Sequence, residues 1–243
     1  MRIKPYKLIL LAVLTAAMVF SGVLSATRML ESREAAAAAL AEQRPVIVID
    51  AGHGGEDGGA TSVSGVLESQ LNLEIARRVD AFLALSGFET RMIRESDTAI
   101  YDASASTLSE KKVSDLKNRV KLVNQTPGAL LLSIHQNVFS DGRYSGAQVF
   151  YAKTEGSKQL AEAVQQLLID ALDPQNHRQA KPADTVYLMN HIQCTGVLVE
   201  CGFLSNEADD LKLQDEGYQK KLTIVLSGAL AGWVDKESDR SEV

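Results

Sequence analysis

Short apolar runs that alternate with helical patterns constrain the fold of this chain more than any other feature. The clearest runs have strand length and are Val46–Asp50, Ala129–Ile134 and Thr195–Glu200. Between them, segments such as 68–87 place apolar residues at helical spacing. Strands that are apolar on both faces are typical of parallel sheets covered by helices. The sequence therefore predicts one α/β domain over 45–235, with a mostly parallel, twisted sheet flanked by helices on both faces.

An uncharged apolar segment precedes this domain. Residues 1–7 contain three basic side chains, and residues 8–27 contain no charge. A helix of this length would span ~30 Å, the thickness of a bilayer core. We expect a membrane-anchor helix with the basic end in the cytoplasm and the domain outside; a cleaved signal peptide is the alternative. Residues 28–44 are predicted to form a helical spacer, and residues 236–243 a polar tail.

Composition and cysteine content argue against two classes of protein. The net charge of −6 disfavours a nucleic-acid-binding protein, which would carry a basic patch. Cys194 and Cys201 flank a predicted strand that would hold them ~23 Å apart, too far for a disulfide. We expect both cysteines to be small buried hydrophobic residues.

Polar residues that can bind metal follow or end three of the predicted strands. The first strand leads to His53, the third to His135, and a later one to Glu200. Because the carboxyl ends of parallel strands gather ligand-binding groups, these side chains should converge. Two imidazoles and a carboxylate suit a catalytic zinc ion, with a second carboxylate as general base. Glu68, at the start of the first helix, is the other candidate carboxylate, and spacing alone leaves open which of Glu68 and Glu200 is the ligand.

Two loops surround this predicted site. The glycines near His53 allow positive φ and leave room for an ion and a substrate. A phosphate cradle is disfavoured because the loop lacks both a GxGxxG pattern and a GK[ST] ending. Residues Ser96–Glu110 are polar, small and without period, and we expect them to form a surface loop near the mouth of the site.

Four separated motifs resemble those of the zinc-dependent N-acetylmuramoyl-L-alanine amidases of the Amidase 3 family. They are IDAGHGGEDGGA, ESQLNLEIA, SIHQN and LVECGFLSN, in the order and spacing of the family. The resemblance implies that His53, Glu68 and His135 are the zinc ligands and that Glu200 is the catalytic glutamate. It also implies hydrolysis of the amide between the lactyl group of N-acetylmuramic acid and L-alanine of the peptidoglycan stem. A zinc peptidase that cuts within the stem and a non-catalytic peptidoglycan-binding module are the alternatives.

Finer features are similar to a sporulation-specific branch of this family. The stretches RESDT, DLKNRVKLVN, SGAQVFY and VYLMN carry this similarity, together with an N-terminal anchor and no binding repeats. The branch trims stem peptides from spore-cortex glycan before muramic-lactam formation. The similarity implies a place between the forespore membranes, an accessory sporulation lipoprotein as partner, and a deacetylase that acts next.

Overall fold

The structure is a computed structural model that describes residues 18–32 and 44–241, in two compact units divided after residue 43. In the first unit, residues 18–32 form helix α1, whose apolar side chains are exposed. Among the described residues, no helix is both long enough and apolar enough to cross a membrane. The rest of the predicted anchor and basic segment (1–17), most of the predicted spacer (33–43) and the last two residues of the tail lie outside the described residues.

The second unit contains six strands and six helices among its described residues. The strands are β1 (Val46–Ala51), β2 (Thr90–Met92), β3 (Ala129–Asn137), β4 (Gln148–Tyr151), β5 (Lys181–Pro182) and β6 (Thr195–Phe203). The helices are α2 (Glu68–Leu85), α3 (Leu108–Asn124), α4 (Ser157–Leu172), α5 (Tyr187–His191), α6 (Glu207–Gln214) and α7 (Glu216–Ser241).

The six strands form one sheet in the order β2-β1-β3-β6-β4-β5. All neighbouring strands are parallel except β4 and β6, which are antiparallel. The predicted α/β domain with a mostly parallel sheet is confirmed. The longest strands, β3 and β6, are neighbours at the centre, so they bring their carboxyl ends to the same edge.

The core lies on both faces of the sheet. One face packs against α2, α4 and α7 through residues such as Ile49, Leu132 and Val199. The opposite face packs against α3 and α5 through Val48, Leu131 and their neighbours. Each buried branched side chain contributes about 1.5–3 kcal/mol. Burial on both sides explains why these strands are continuous apolar runs rather than alternating ones.

Two local predictions need correction. The predicted loop Ser96–Glu110 is too long, because α3 already begins at Leu108. Thr107 and Glu110 form a capping box, in which each side chain accepts a hydrogen bond from the other residue's backbone N–H. The Thr-x-x-Glu pattern could have revealed this start. Both cysteines are free, as expected, but only Cys201 is fully buried and Cys194 is half-buried.

Candidate metal centre and catalytic carboxylate

His53 lies on the loop after β1 in a strained backbone conformation. Its φ is 62°, and it is the only non-glycine residue with positive φ in the described ranges. Such a conformation costs about 1–3 kcal/mol and persists only where neighbours enforce it. Two buried arginines do so: Arg119 donates to the His53 carbonyl at 2.7 Å, and Arg94 donates to the Gly52 carbonyl at 3.0 Å. The strain marks His53 as a residue whose position matters for function.

Asp57 orients the His53 ring. The distance between His53 Nδ1 and Asp57 Oδ2 is 3.0 Å, which leaves Nε2 to face Glu68 at 3.3 Å. Burial disfavours the charged imidazole, but Glu68 and Asp57 outweigh this effect and raise the pKa of His53. A carboxylate behind a histidine is typical of metal-ligating imidazoles, because it fixes the tautomer and the ring orientation.

Glu68 is the buried centre of the site. It begins α2 and is 4% exposed. One oxygen accepts from the Gln136 N–H at 3.1 Å and lies 3.0 Å from His135 Nδ1, while the other accepts from the Ala60 N–H at 3.0 Å. Burial alone would raise the pKa of Glu68, yet the hydrogen bonds from His135 and His53 hold it far below its usual range. The carboxylate is therefore ionised and rigid.

The structure brings His53, Glu68 and His135 together. One ligand atom from each residue lies within 4.8 Å of those of the other two. Glycines make this approach possible: a Cβ on Gly52 would lie 2.1 Å from the His135 ring, and one on Gly59 would lie 2.6 Å from Glu68 Oε2. Because that Cβ on Gly59 would also lie 2.8 Å from His53 Cδ2, the glycine-rich loop predicted from the sequence serves close packing against all three side chains.

Glu200 stands next to this trio on the central strand pair. It is in register with His135 across β3 and β6, so both side chains project from the same face of the sheet. Its Oε2 is buried and accepts no hydrogen bond among the described residues. Burial is the main cause that raises the pKa of Glu200 to about 7. Cys201, the next residue, packs into the core on the opposite face.

The residues present fit a borderline divalent cation such as zinc. Two imidazoles and one carboxylate are the donor set of many catalytic zinc sites, and Asp57 supplies the outer carboxylate that such sites use. Glu200 adds a second carboxylate beside that donor set, and its Oε2 accepts no hydrogen bond among the described residues. The α/β sheet, the trio and the free carboxylate at the carboxyl edge of the strands are together typical of a metal-dependent hydrolase.

A buried network of hydrogen bonds and an ion pair, which the sequence did not predict, holds the backbone and side chains of the site in place. Arg119 pairs with Asp50, which also accepts from the Ser133 hydroxyl at 2.6 Å. Asn72 donates to the Gly52 carbonyl at 3.2 Å and to Glu68 at 3.3 Å. The members of this network come from four separate elements, β1, α2, α3 and β3. The sequence can indicate that each residue lies on a buried face of its helix or strand, but it does not show that they contact one another.

The loop after β2 lies beside the site, as predicted. Asp97 accepts from the Gly55 N–H at 3.0 Å. Ala99 and Tyr101 line a cavity of about 190 Å³ whose wall includes Asp57, the partner of His53. The two remaining histidines are exposed and take no part: His177 lies between α4 and β5, and His191 stacks on Tyr187.

Comparison with known proteins identifies the family. The family described as N-acetylmuramoyl-L-alanine amidase (Amidase 3) matches residues 47–231, more than half of the chain. The germination-specific N-acetylmuramoyl-L-alanine amidase of Bacillus subtilis is 35% identical over 198 residues, which cover 81% of this chain and 83% of the relative. The chain belongs to this family and is an N-acetylmuramoyl-L-alanine amidase.

Solved structures agree with this assignment. The CwlD amidase from Clostridioides difficile, determined in complex with the GerS lipoprotein, has a TM-score of 0.75 and 34% identity, covering 79% of this chain and 98% of that one. An N-acetylmuramoyl-L-alanine amidase from Clostridium difficile 630 has a TM-score of 0.69 and 27% identity, covering 79% and 97%. The fold expected from the family resemblance is confirmed.

Proposed function

We propose that His53, Glu68 and His135 hold Zn²⁺ and that Glu200 is the general base of an amidase that releases the stem peptide from N-acetylmuramic acid. One observation carries this assignment: Glu200 is in register with His135, and its buried Oε2 accepts no hydrogen bond among the described residues. Glu68 already uses both oxygens in hydrogen bonds that aim it at the two histidines, which suits a ligand. Glu200 has no such bonds and is free to exchange a proton.

The chain's own residues would divide the work as follows. Zinc, when bound, acts as a Lewis acid that polarises the lactyl amide carbonyl and makes water more acidic. Glu200 accepts a proton from the attacking water and returns it to the departing L-alanine nitrogen. A positive charge at the trio would favour the ionised form of Glu200 and lower its pKa from about 7, so the base is ready at neutral pH.

The reaction is tested by mass spectrometry of muropeptides after incubation with the purified protein. We expect peptide-free muramic acid and a complete stem that begins with L-alanine. A stem peptidase would leave amino acids on the muramic acid, and a binding module would leave the muropeptides intact. Either of these two results would contradict the proposal.

Metal analysis of variants tests the division of roles. His135→Ala should lose both zinc and activity, whereas Glu200→Gln should keep zinc and lose about 10²–10⁴-fold in rate, because only the proton carrier is removed. His191→Ala, which changes an exposed histidine before the amino end of β6, is the matched control and should retain both. A Glu200→Gln protein without zinc would show that ligand and base are wrongly assigned.

We further propose a role in spore-cortex maturation. The similarity to a germination-specific amidase and to an amidase found in complex with a lipoprotein supports this role. On this proposal an accessory sporulation lipoprotein assists the enzyme, and a deacetylase then acts on the peptide-free muramic acid to allow muramic-lactam formation. Muropeptide analysis of spores from a deletion strain is the test, and an unchanged content of muramic lactam would contradict the proposal.

We also propose that residues 8–27 anchor the chain and that the domain lies outside the cytoplasm. The three basic residues in 1–7 favour a cytoplasmic amino terminus, and peptidoglycan is found only beyond the membrane. Protease added to intact protoplasts should therefore remove the domain. Protection that is lost only on lysis would contradict this topology.

A further inference from the structure

Three polar side chains form a row across the centre of the sheet. His135 on β3 is in register with Glu200 on β6, and Glu200 is in register with Gln148 on β4. Residues in register on neighbouring strands project from the same face. Because adjacent strands lie about 4.8 Å apart, Gln148 is about 10 Å from His135 along this row. The row leads away from the candidate metal ligands and past the candidate base.

Arg178 lies at the far end of the row. Its Nη1 donates to Gln148 Oε1 at 3.1 Å, and its Nε donates to the Ser145 carbonyl at 2.8 Å. The guanidinium carbon lies 4.5 Å from the centre of the Phe203 ring and 6.0 Å from that of Tyr144. Two hydrogen bonds and a stacked aromatic ring therefore fix the orientation of this guanidinium.

The backbone that carries Arg178 is fixed as well. The Arg178 N–H donates to Asn176 Oδ1 at 3.0 Å, and Asn176 Nδ2 donates to the Ala147 carbonyl at 2.8 Å. Gln148 Nε2 donates to the Gln179 carbonyl at 2.9 Å. These bonds join the segments before β4 and β5, so a ligand would find Arg178 already ordered and would lose little affinity to its immobilisation.

The charge of Arg178 is not matched. Within 18–32 and 44–241, no carboxylate forms an ion pair with Arg178, and its Nη2 donates no hydrogen bond. Arg143, only two residues before Ser145, differs because it is paired with Asp141 at 2.7 Å. A planar, fixed guanidinium with free donors suits a planar anion, and the anions of a peptidoglycan stem peptide are carboxylates.

We propose that Arg178 binds a carboxylate of the stem peptide and is a specificity-determining residue of the amidase. This inference rests on the function proposed above. An extended peptide advances about 3.3 Å per residue, so the ~10 Å between His135 and Gln148 corresponds to two or three residues beyond the scissile amide. The stem would thus run from the metal ligands past Glu200 toward Arg178, which would hold its acidic group. Gln148 is buried and holds Arg178 in place rather than contacting the stem.

The test uses two synthetic N-acetylmuramoyl peptides that differ only in a carboxylate or a carboxamide within the second or third stem residue. The wild-type protein should prefer the carboxylate by about tenfold or more in kcat/KM, the value expected for a charge-assisted hydrogen bond at a partly exposed site. Arg178→Gln should remove this preference through a higher KM for the acid, with kcat and zinc content retained. Arg178→Lys should restore part of it, and the matched control Arg143→Ala should match the wild type.

Several outcomes would overturn the inference. A wild-type protein without preference, or an Arg178→Gln protein that keeps it, would show that Arg178 does not read the carboxylate. An equal loss of kcat/KM on both substrates in Arg178→Gln, or a loss of zinc, would show that Arg178 only supports the fold. Melting temperatures identify a variant that is unfolded. If Arg178→Gln is unfolded, Arg178→Lys provides the test, and a full loss of its preference for the carboxylate substrate supports the inference only if it remains folded and binds zinc. If the wild type cleaves neither substrate at the lactyl amide, the proposed function itself fails, and this result is distinct from all the others.

Discussion

Glu200→Gln should make the metal-free protein more stable relative to the wild type as the pH rises. Glu200 Oε2 is buried without a hydrogen-bond partner among the described residues, and burial raises the pKa of Glu200 from 4.5 to about 7. An ionised Glu200 is therefore unfavourable in the folded protein when no cation is near. Glutamine has a similar shape and does not ionise, so it removes this cost.

The sign and the size of this stability difference follow from proton binding to Glu200. Between pH 4.5 and about 7 the folded wild-type protein holds a proton on Glu200 that the unfolded chain has lost, so its free energy of unfolding falls as the pH rises through this range. The penalty is absent below pH 4.5 and complete above about pH 7. At about 1.4 kcal/mol per pH unit the full penalty amounts to about 3–4 kcal/mol.

Urea unfolding in the presence of a chelator, at pH 5 and pH 8, measures this effect. The difference in unfolding free energy between Glu200→Gln and wild type should grow by about 2–3 kcal/mol from the lower to the higher pH. Glu89→Gln, which changes an exposed glutamate, is the control and should show a constant difference. A constant difference for Glu200→Gln as well would refute the reasoning, because Glu200 would then titrate alike in the folded and unfolded protein.

Two further predictions concern the support of the site. Gly52→Ala places a Cβ 2.1 Å from the His135 ring and should abolish zinc binding in metal analysis. The control is Gly228→Ala, whose Cβ meets nothing within 4 Å among the described residues and which should raise the free energy of unfolding by about 0.5–1 kcal/mol. A Gly52→Ala protein that retains zinc would contradict the first prediction. Arg119→Met leaves Asp50 as an unpaired buried charge and should cost about 3–5 kcal/mol in urea unfolding, part of which Asp50→Asn should restore. A loss below about 1 kcal/mol, or no restoration, would count against the ion pair.

Local sequence patterns were sufficient for the long strands and helices of the fold, but not for the short elements β5, α5 and α6. The strands β1, β3 and β6 are apolar runs because both their faces are buried, and the helices between them show their apolar face at helical spacing. These signals depend on near neighbours in the chain, which the sequence displays directly. The same holds for His53, His135 and Glu200, because each follows or ends a readable strand and parallel strands share one carboxyl edge.

Other features depended on contacts between distant segments. The order of the strands and the antiparallel direction of β4 follow from pairing across the sheet, and no local sequence pattern encodes this pairing. The positive φ of His53 is stabilised by Arg94 and Arg119, from the loop after β2 and from α3, so the sequence near His53 does not contain its cause. A lone arginine in a sequence is ambiguous between surface and core.

The chemical difference between the two carboxylates also belongs to the tertiary structure. Spacing left Glu68 and Glu200 equivalent, and the family resemblance, rather than the physics of the sequence, assigned their roles. In the structure Glu68 accepts hydrogen bonds from β3 and from the glycine loop, whereas Glu200 is half-buried and its buried Oε2 accepts no hydrogen bond among the described residues. The sequence determined which residues reach the edge of the sheet, and three-dimensional packing decided which carboxylate is fixed and ionised and which is free to take a proton, because hydrogen bonding and burial set the pKa of each.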